Sequence, residues 1–318
     1  MYTHTMRGRQ TNMWWIFIVA ALQYCSAQEY TITAVELQPP LTESRIIGGT
    51  PTTIMNYPFT VQVIYDSRFL CGGSLLTTRH VLSAAHCFVD SNGFPASPRW
   101  YTIRMGTSLM NSGGQVHGVS TIVVHERYNT PIRDNDVAIV VLSTPATLGS
   151  SVAVHYIPVQ GAVVPDNSSV TTVGWGKTDP MVDGGSLYLN EVTVRTVNQN
   201  TCYTRYQELN NAATQEYYPV TSSMLCAGIL DVGGMDACQG DSGGPLIYNG
   251  VVVGITSWGY GCAMPRYPGV YTRVASYTNW INNTVRKSAV TRYSAGSLSS
   301  NVGVITLLMP ILYALLNL

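Results

Sequence analysis

A serine flanked by glycines is the first residue in this chain whose surroundings suggest reactivity. Ser242 lies in the run Gln239-Gly240-Asp241-Ser242-Gly243-Gly244. Glycines let backbone N–H groups converge on one point, so the N–H groups of Gly240 and Ser242 could bind a developing negative charge. A serine hydroxyl is a weak nucleophile unless a base accepts its proton, so the segment requires a base nearby.

Two other segments offer a base and a group to orient it. His86 follows the run Leu82-Ser83-Ala84-Ala85 and precedes Cys87, which could hold it through a disulfide. Asp136 stands before an apolar run, 137–142, that would carry its carboxylate to the interior, where a charge needs partners. Alone, each has an ordinary structural interpretation, as does Asp134, which is typical of a turn. Together, an aspartate, a histidine and a serine predict acyl transfer through an activated alcohol.

The composition limits the class of protein that carries these residues. The chain has 318 residues, of which 46% are apolar and 11% charged, with 17 Lys and Arg against 17 Asp and Glu. Such a chain can bury a core, and it is not disordered through excess charge. Because no basic excess is present to gather phosphates, we expect no nucleic-acid partner.

The elements that must position the three residues are predicted to be strands. Short runs rich in Val, Ile, Thr and Tyr alternate with glycine-containing turns, at 59–65, 119–124, 137–142, 192–197 and 251–255. A sustained helical pattern occurs only near the end, where Tyr277, Trp280, Ile281 and Val285 form one apolar stripe. Many short strands bury their edges by closure, so we expect an all-β sandwich or a pair of closed barrels.

The N-terminus is typical of a secretory signal. Arg7 and Arg9 precede the apolar run 14–22, and Cys25-Ser26-Ala27 has the small residues of a cleavage site. The run is shorter than the ~20 apolar residues that span a bilayer, so a membrane anchor is the weaker interpretation. We therefore predict a signal peptide over residues 1–27 and a secreted protein whose remaining cysteines pair.

The C-terminus predicts some relation to a membrane. Residues 302–318 carry no charge and follow the small, polar stretch 294–301. This order matches a glycolipid-anchor signal, whose apolar tail is removed and which would hold the protein on the outer face of the plasma membrane. A retained transmembrane helix and an amphipathic tail with no further fate are the alternatives for the linker and tail over 288–318.

The three chemical segments together resemble the trypsin-like members of the chymotrypsin family of serine proteases, across residues 46–287. His86, Asp136 and Ser242 occur in the order that this family uses. The resemblance implies two antiparallel six-stranded β-barrels with a C-terminal helix, no cofactor, and hydrolysis of peptide bonds through an acyl-enzyme. It also implies that the N–H groups of Gly240 and Ser242 bind the oxyanion. The chain also resembles insect digestive trypsins overall.

The resemblance also implies that the enzyme is made as a zymogen. Arg45 precedes the run Ile46-Ile47-Gly48-Gly49, and a cut after Arg45 by a trypsin-like protease, or by the enzyme itself, would release the propeptide 28–45. The new ammonium on Ile46 would pair with Asp241 and order the loop that carries the nucleophile. The propeptide contains no cysteine, so no disulfide would hold it after release.

A primary specificity pocket follows from the same resemblance. Asp236 would lie at its base, between walls formed by 257–259 and 268–270. Glycine at two wall positions leaves the pocket open to a long side chain, and a desolvated carboxylate selects a cation. We therefore expect cleavage after Arg or Lys. The residues assigned to substrate binding are Asp236, Ser257, Trp258, Gly259 and Gly269.

Cysteines and acidic residues complete the expectations about stability. No cysteine pair has zinc-site spacing, so a metal framework is the weaker interpretation. No Asp or Glu occurs from Trp100 to His125, where vertebrate trypsins carry calcium-binding carboxylates, so we expect no metal there. The resemblance implies three disulfides, which are Cys71 to Cys87, Cys202 to Cys226, and Cys238 to Cys262.

The remaining expectations concern modification, partners and the rival function. Asn167 and Asn282 begin glycosylation patterns. The segment between Cys202 and Cys226 is longer than in vertebrate trypsins and is a candidate for further substrate contacts.

We expect a monomer that binds protein or peptide substrates and protein protease inhibitors. The alternative is a catalytically silent homologue that acts as a binding or regulatory module. The presence of serine, histidine and aspartate argues against it.

Overall fold

The computed structural model describes two β-barrels, with a few gaps in the described chain. It covers residues 32–37, 49–90, 93–130, 132–177, 184–212, 216–234, 237 and 240–288. Several predicted features lie outside these residues, namely the signal peptide, Arg45, Ile46, Asp236, Cys238 and the tail from 289 onward.

Six strands of the N-terminal half form a closed antiparallel barrel. Neighbouring strands pair in the order β3-β4-β5-β8-β7-β6, and β6 pairs with β3 to close the ring. Every residue of β8 is buried, which explains why its sequence is continuously apolar rather than alternating. The strands are β3 (Thr60–Tyr65), β4 (Arg68–Thr77), β5 (His80–Ser83), β6 (Tyr101–Met105), β7 (Gln115–Val124) and β8 (Ala138–Leu142).

A second ring of six strands follows. Its order is β10-β13-β14-β15-β12-β11, and β11 pairs with β10 to close it, while β2 (Thr50–Pro51) adds to the outer edge of β11. The expectation of two six-stranded antiparallel barrels is therefore confirmed. The strands are β10 (Ser169–Gly174), β11 (Asn190–Val197), β12 (Met224–Gly228), β13 (Pro245–Tyr248), β14 (Val251–Trp258) and β15 (Gly269–Arg273).

In the described residues two α-helices accompany the barrels, and one of them was not expected. The interpretation that helical character is confined to the C-terminus is wrong, because α1 spans Gln199–Asn211. Its buried side chains are only Cys202, Tyr206 and Leu209, so the apolar stripe is narrow in a polar sequence. The side chain of Asn198 accepts hydrogen bonds from the N–H groups of residues 200 and 201, which fixes the first turn.

The predicted C-terminal helix, α2, spans residues 278–288. Tyr277, Ile281 and Val285 are buried in the larger apolar cluster, as the stripe indicated. In the described part of the chain, no helix is long and apolar enough to cross a membrane.

Disulfides join the elements that flank the predicted chemistry. Cys71 of β4 is bonded to Cys87 in a short 3-10 helix, Ala85–Phe88, and Cys202 of α1 is bonded to Cys226 of β12. These two predicted pairs are confirmed. Cys262 is also disulfide-bonded, and its predicted partner, Cys238, lies outside the described residues.

Part of the predicted propeptide belongs to the fold. The strand β1 (Ala34–Val35) runs parallel to β9 (Ile157–Pro158), which lies in the chain between the two barrels. Ile32 and Ala34 pack against the larger apolar cluster, which includes the first-barrel core, while Val35 and Leu37 pack against the cluster of the second barrel. Strand pairing and apolar packing thus hold this part of the predicted propeptide, although it has no cysteine that could form a disulfide.

Side chains of the protein hold the loop between β6 and β7. Gln62, fully buried on β3, donates from Nε2 to the carbonyl of Leu109 at 2.9 Å and accepts from the N–H of Asn111 at 2.8 Å. The guanidinium of Arg104 donates to the carbonyl of Gly113. Three backbone groups of this loop are thus bonded to an amide and a cation of the protein itself.

We predict that thermal stability does not depend on calcium. The melting temperature should be the same in a chelator and in excess calcium, whereas Gln62→Ala should lower the free energy of unfolding by about 2 kcal/mol, because it removes both loop contacts. Thermal scans of both proteins test this. A clear rise of the wild-type melting temperature with calcium would contradict it.

A buried histidine predicts that acid destabilises the fold. His155 is 4% exposed, its Nδ1 lies 3.0 Å from the carbonyl oxygen of Tyr156, and burial lowers its pKa to about 4. The unfolded chain binds this proton near pH 6.5 but the fold does not, so stability is lost as the pH falls from 6.5 towards 4, by about 3 kcal/mol. Chemical denaturation across this range should give a smaller loss for His155→Gln; equal losses would refute the assignment.

Candidate active site

His86 and Asp136 meet through two hydrogen bonds. His86 lies in the 3-10 helix that follows β5, and Asp136 lies just before β8, the strand that pairs with β5. Nδ1 of His86 is 2.7 Å from one oxygen of the Asp136 carboxylate, and the His86 backbone N–H donates to the other at 2.9 Å. A carboxylate only accepts, so Nδ1 carries the proton and Nε2 has the free lone pair of a base.

The second barrel holds the acid of the first. Ser257 of β14 donates from its hydroxyl to the Asp136 carboxylate at 2.5 Å, and Thr272 of β15 donates to the Asp136 carbonyl at 2.7 Å. The carboxylate is 4% exposed and is therefore a buried charge with several donors. Sequence reasoning assigned Ser257 only to the pocket wall, and its bond to Asp136 was missed.

The pair changes the protonation of both groups. Burial alone would raise the pKa of Asp136, but the charge of His86 and hydrogen bonds from His86 and Ser257 hold it below its ordinary value. Burial alone would lower the pKa of His86, yet the charge and hydrogen bond of Asp136 raise it above 6.5. Asp136 is consequently ionised at neutral pH, and the imidazolium that forms when His86 takes a proton is stabilised.

Contacts of Gly72 and Gly243 place the Ser242 segment against β4 and β5, the two strands that precede His86. The N–H of Gly72 donates to the Ser242 carbonyl at 2.8 Å, and Ser83 donates from its hydroxyl to the Gly72 carbonyl at 2.8 Å. Gly243, with φ 78°, approaches so closely that a Cβ would clash with Ser83. Ser83 lies three residues before His86, so the segment of the candidate nucleophile rests on the strand that leads into the 3-10 helix of the candidate base.

The loop at Ser242 contains the two backbone donors that were predicted to bind an oxyanion. Gly240 has φ 99°, a conformation that favours glycine. Neither its N–H nor that of Ser242 donates to another residue among those described, so both are available to an oxyanion. The Asp241 carboxylate accepts from the N–H of Gly176 at 2.8 Å, and a Cβ at Gly174 or Gly176 would clash with it.

A pocket of about 210 Å³ opens beside Ser242. Ser257, Trp258, Gly259 and Gly269, all predicted to bind substrate, line it, so the structure brings them together with Ser242. A Cβ at Gly259 would lie 3.8 Å from the Gly269 Cα, so side chains at these positions would narrow the pocket. Asp236, predicted at the base, lies outside the described residues.

An arginine that sequence reasoning missed lies against the pocket wall. The guanidinium carbon of Arg133 is 4.4 Å from the ring centre of Tyr218 and 5.5 Å from that of Trp258, and a nitrogen is 2.6 Å from Glu216. Tyr218 and Glu216 belong to the long segment between Cys202 and Cys226. That segment therefore reaches the pocket wall through Trp258, although nothing in its sequence indicates the contact.

The cluster of Cys71, His86 and Cys87 resembles a metal site only in its spacing. Their ligand atoms lie within 4.8 Å of one another, and it is the one such group of His, Cys, Asp and Glu that the described ranges contain. The two cysteines are bonded to each other, so neither has a thiolate to offer a metal.

Comparisons with known proteins match most of the chain. The model of the Trypsin family matches residues 46–281. The chain is 44% identical to Trypsin CFT-1 of Choristoneura fumiferana over 249 residues, and the aligned region covers 76% of this chain and 91% of that protein. It is 40% identical to a Trypsin of Phaedon cochleariae (78% and 90% covered) and 43% identical to Trypsin, alkaline B, of Manduca sexta (77% and 92% covered).

The His86 and Asp136 pair predicts how activity depends on pH. His86 must be neutral to accept a proton, so kcat/KM should fall as the pH drops through its pKa, at a midpoint above 6.5 because that pKa is raised. Asp136→Asn removes the charge that raises it. We expect the midpoint to move to lower pH and the plateau to fall by roughly 10²- to 10⁴-fold. Profiles of kcat/KM for both proteins check this, and an unmoved midpoint would exclude the pairing as its cause.

Proposed function

The chain belongs to the trypsin family and is a trypsin-like serine endopeptidase, and from this membership we propose that it is secreted as a zymogen and cleaves proteins after Arg or Lys. The observation that carries the proposal is the junction at Asp136. Both barrels donate hydrogen bonds to this carboxylate, which orients His86. The Ser242 segment packs on β4, where the N–H of Gly72 donates to the Ser242 carbonyl. The silent-homologue alternative has no observation in its favour.

The proposed catalytic cycle uses three side chains and two backbone donors. Ser242 Oγ attacks the scissile carbonyl as Nε2 of His86 takes its proton, and Asp136 stabilises the resulting imidazolium. The N–H groups of Gly240 and Ser242 bind the oxyanion. His86 then gives its proton to the leaving amine, which leaves an acyl-enzyme. Water attacks the ester with His86 again as base, and the acid product departs as Ser242 regains its proton.

Specificity and activation are proposed from the loop around the nucleophile. Asp236 would bind the guanidinium or ammonium of the substrate in the open pocket between Gly259 and Gly269. Cleavage after Arg45, by another trypsin-like protease or by the enzyme itself, would free the ammonium of Ile46. Its pairing with Asp241 would order the loop, and the close packing of the half-buried Asp241 carboxylate against Gly174 and Gly176 supports this role.

The proposed organisation is a signal peptide over 1–27, a propeptide over 28–45, the peptidase domain over 46–287, and a linker and tail over 288–318. Disulfides support an extracellular location. Attachment to the membrane through the tail is proposed on the sequence alone, and release of enzyme from intact cells by a phospholipase that cuts glycolipid anchors tests it.

The proposed partners are dietary or other protein substrates and protein protease inhibitors, met by a monomer. Two glycosylation sites are proposed. Asn167 is exposed at a turn before β10, with φ 58°, and Asn282 is half-buried on α2.

The experiment that tests the proposed function compares wild type with Asp236→Ser after cleavage at Arg45. For peptides that differ only in the cleaved residue, kcat/KM after Arg should fall by roughly 10²- to 10³-fold, because the substrate cation loses a desolvated partner. Cleavage after Phe should change little. Arg preference that survives in the variant would disprove the pocket assignment.

A serine-directed phosphonate supplies the control for folding. It should label both proteins at Ser242, since neither the base nor the oxyanion donors are changed. Absence of labelling in the cleaved wild type would favour the silent homologue.

A further inference from the structure

The segment 32–37, here called the propeptide strand, lies on the protein in a way typical of a bound peptide. Its side chains are half-buried at four positions and exposed at two, Thr33 and Glu36. The backbone is held as well, since the N–H of Ile157 donates to the Thr33 carbonyl at 3.2 Å and the N–H of Val159 donates to the Val35 carbonyl at 2.9 Å. This is strand addition, in which backbone bonds give affinity and alternate side chains give specificity.

The cut that is proposed to activate the enzyme breaks none of these contacts. Arg45 lies between the propeptide strand and β2, and β2 is itself paired with β11. Cleavage after Arg45 therefore removes the covalent link and leaves both anchored segments with their own partners. What changes is only whether the strand is bound within one chain or between two.

Emptying the site would expose groups that the fold has buried. Ile157 is fully buried while the strand is bound, and its N–H would lose the Thr33 carbonyl as its acceptor. Val35 and Leu37 would also leave the apolar cluster of the second barrel, and Ile32 and Ala34 would leave the larger cluster. Both effects favour an occupied site.

We propose that β9 and the apolar surface beside it form a binding site for the propeptide strand in the activated enzyme, so that the peptide 28–45 binds without a covalent bond. This rests on the proposed function, which supplies the cut after Arg45. A linked strand experiences an effective concentration in the ~mM range, whereas a cut one depends on the concentration of free peptide. The activated enzyme is thus a two-chain complex when concentrated and loses the strand on dilution.

The test measures binding of a synthetic peptide with the sequence of residues 28–45, labelled with a fluorophore at its N-terminus. The chain is cut after Arg45 by added trypsin, its new N-terminus at Ile46 is verified, and its own peptide is removed by gel filtration at high dilution. A phosphonate blocks Ser242, which prevents digestion of the probe. Fluorescence anisotropy should then show saturable binding.

Two peptide variants distinguish the proposed contact from adventitious binding. Val35→Asp places a charge against the apolar cluster and should weaken binding at least about tenfold. Glu36→Gln changes an exposed neighbour and should bind like the original peptide. No saturation up to about 1 mM, which corresponds to the effective concentration of a short link, or equal binding of Val35→Asp, would overturn the proposal.

The outcome separates this inference from the proposed function. If the cut chain gains no activity yet binds the peptide, the zymogen role fails and the binding site stands. If the cut chain is active and the peptide does not bind, the binding site fails and the zymogen role stands.

Discussion

The buried carboxylate of Asp136 is the interaction on which the site depends. A desolvated charge is costly unless it is paired, and here its partners come from both halves of the molecule. His86, which belongs to the first barrel, and Ser257, which belongs to the second, both donate to the carboxylate, and Thr272 of the second barrel binds the backbone carbonyl of Asp136. The two barrels must therefore be docked for the charge to be satisfied, so the cost of burying it links assembly of the fold to orientation of the base.

A second constraint acts on the loop of the nucleophile. The carboxylate of Asp241 fills the space in which Gly174 and Gly176 would otherwise carry side chains, and the N–H of Gly176 binds it. Gly243 is likewise packed on Ser83. The glycines around Ser242 thus allow close packing of the loop against the barrel, in addition to the proposed role of the N–H groups of Gly240 and Ser242 in binding an oxyanion.

Much of this arrangement could be predicted from local patterns. The strands 137–142 and 251–255 and the C-terminal helix each have a signal within a few residues, whereas the family resemblance connected His86, Asp136 and Ser242 and supplied the pocket walls. Features made by distant partners could not be predicted. Ser257 binds Asp136, Arg133 stacks on Trp258, and Ala34 pairs with Ile157. Helix α1 was missed because its buried stripe is narrow, so its stability comes from packing and a disulfide more than from its own sequence.

The bond between Cys71 and Cys87 also makes the base sensitive to the compartment in which the chain folds. It ties the 3-10 helix that carries His86 to β4, next to the glycine that binds the Ser242 carbonyl. In the reducing cytosol this clamp would not form, whereas export supplies the oxidant for it. A molecule that never left the cell that made it would therefore lack a support of the proposed catalytic histidine, which would protect the producing cell independently of the proposed removal of the propeptide.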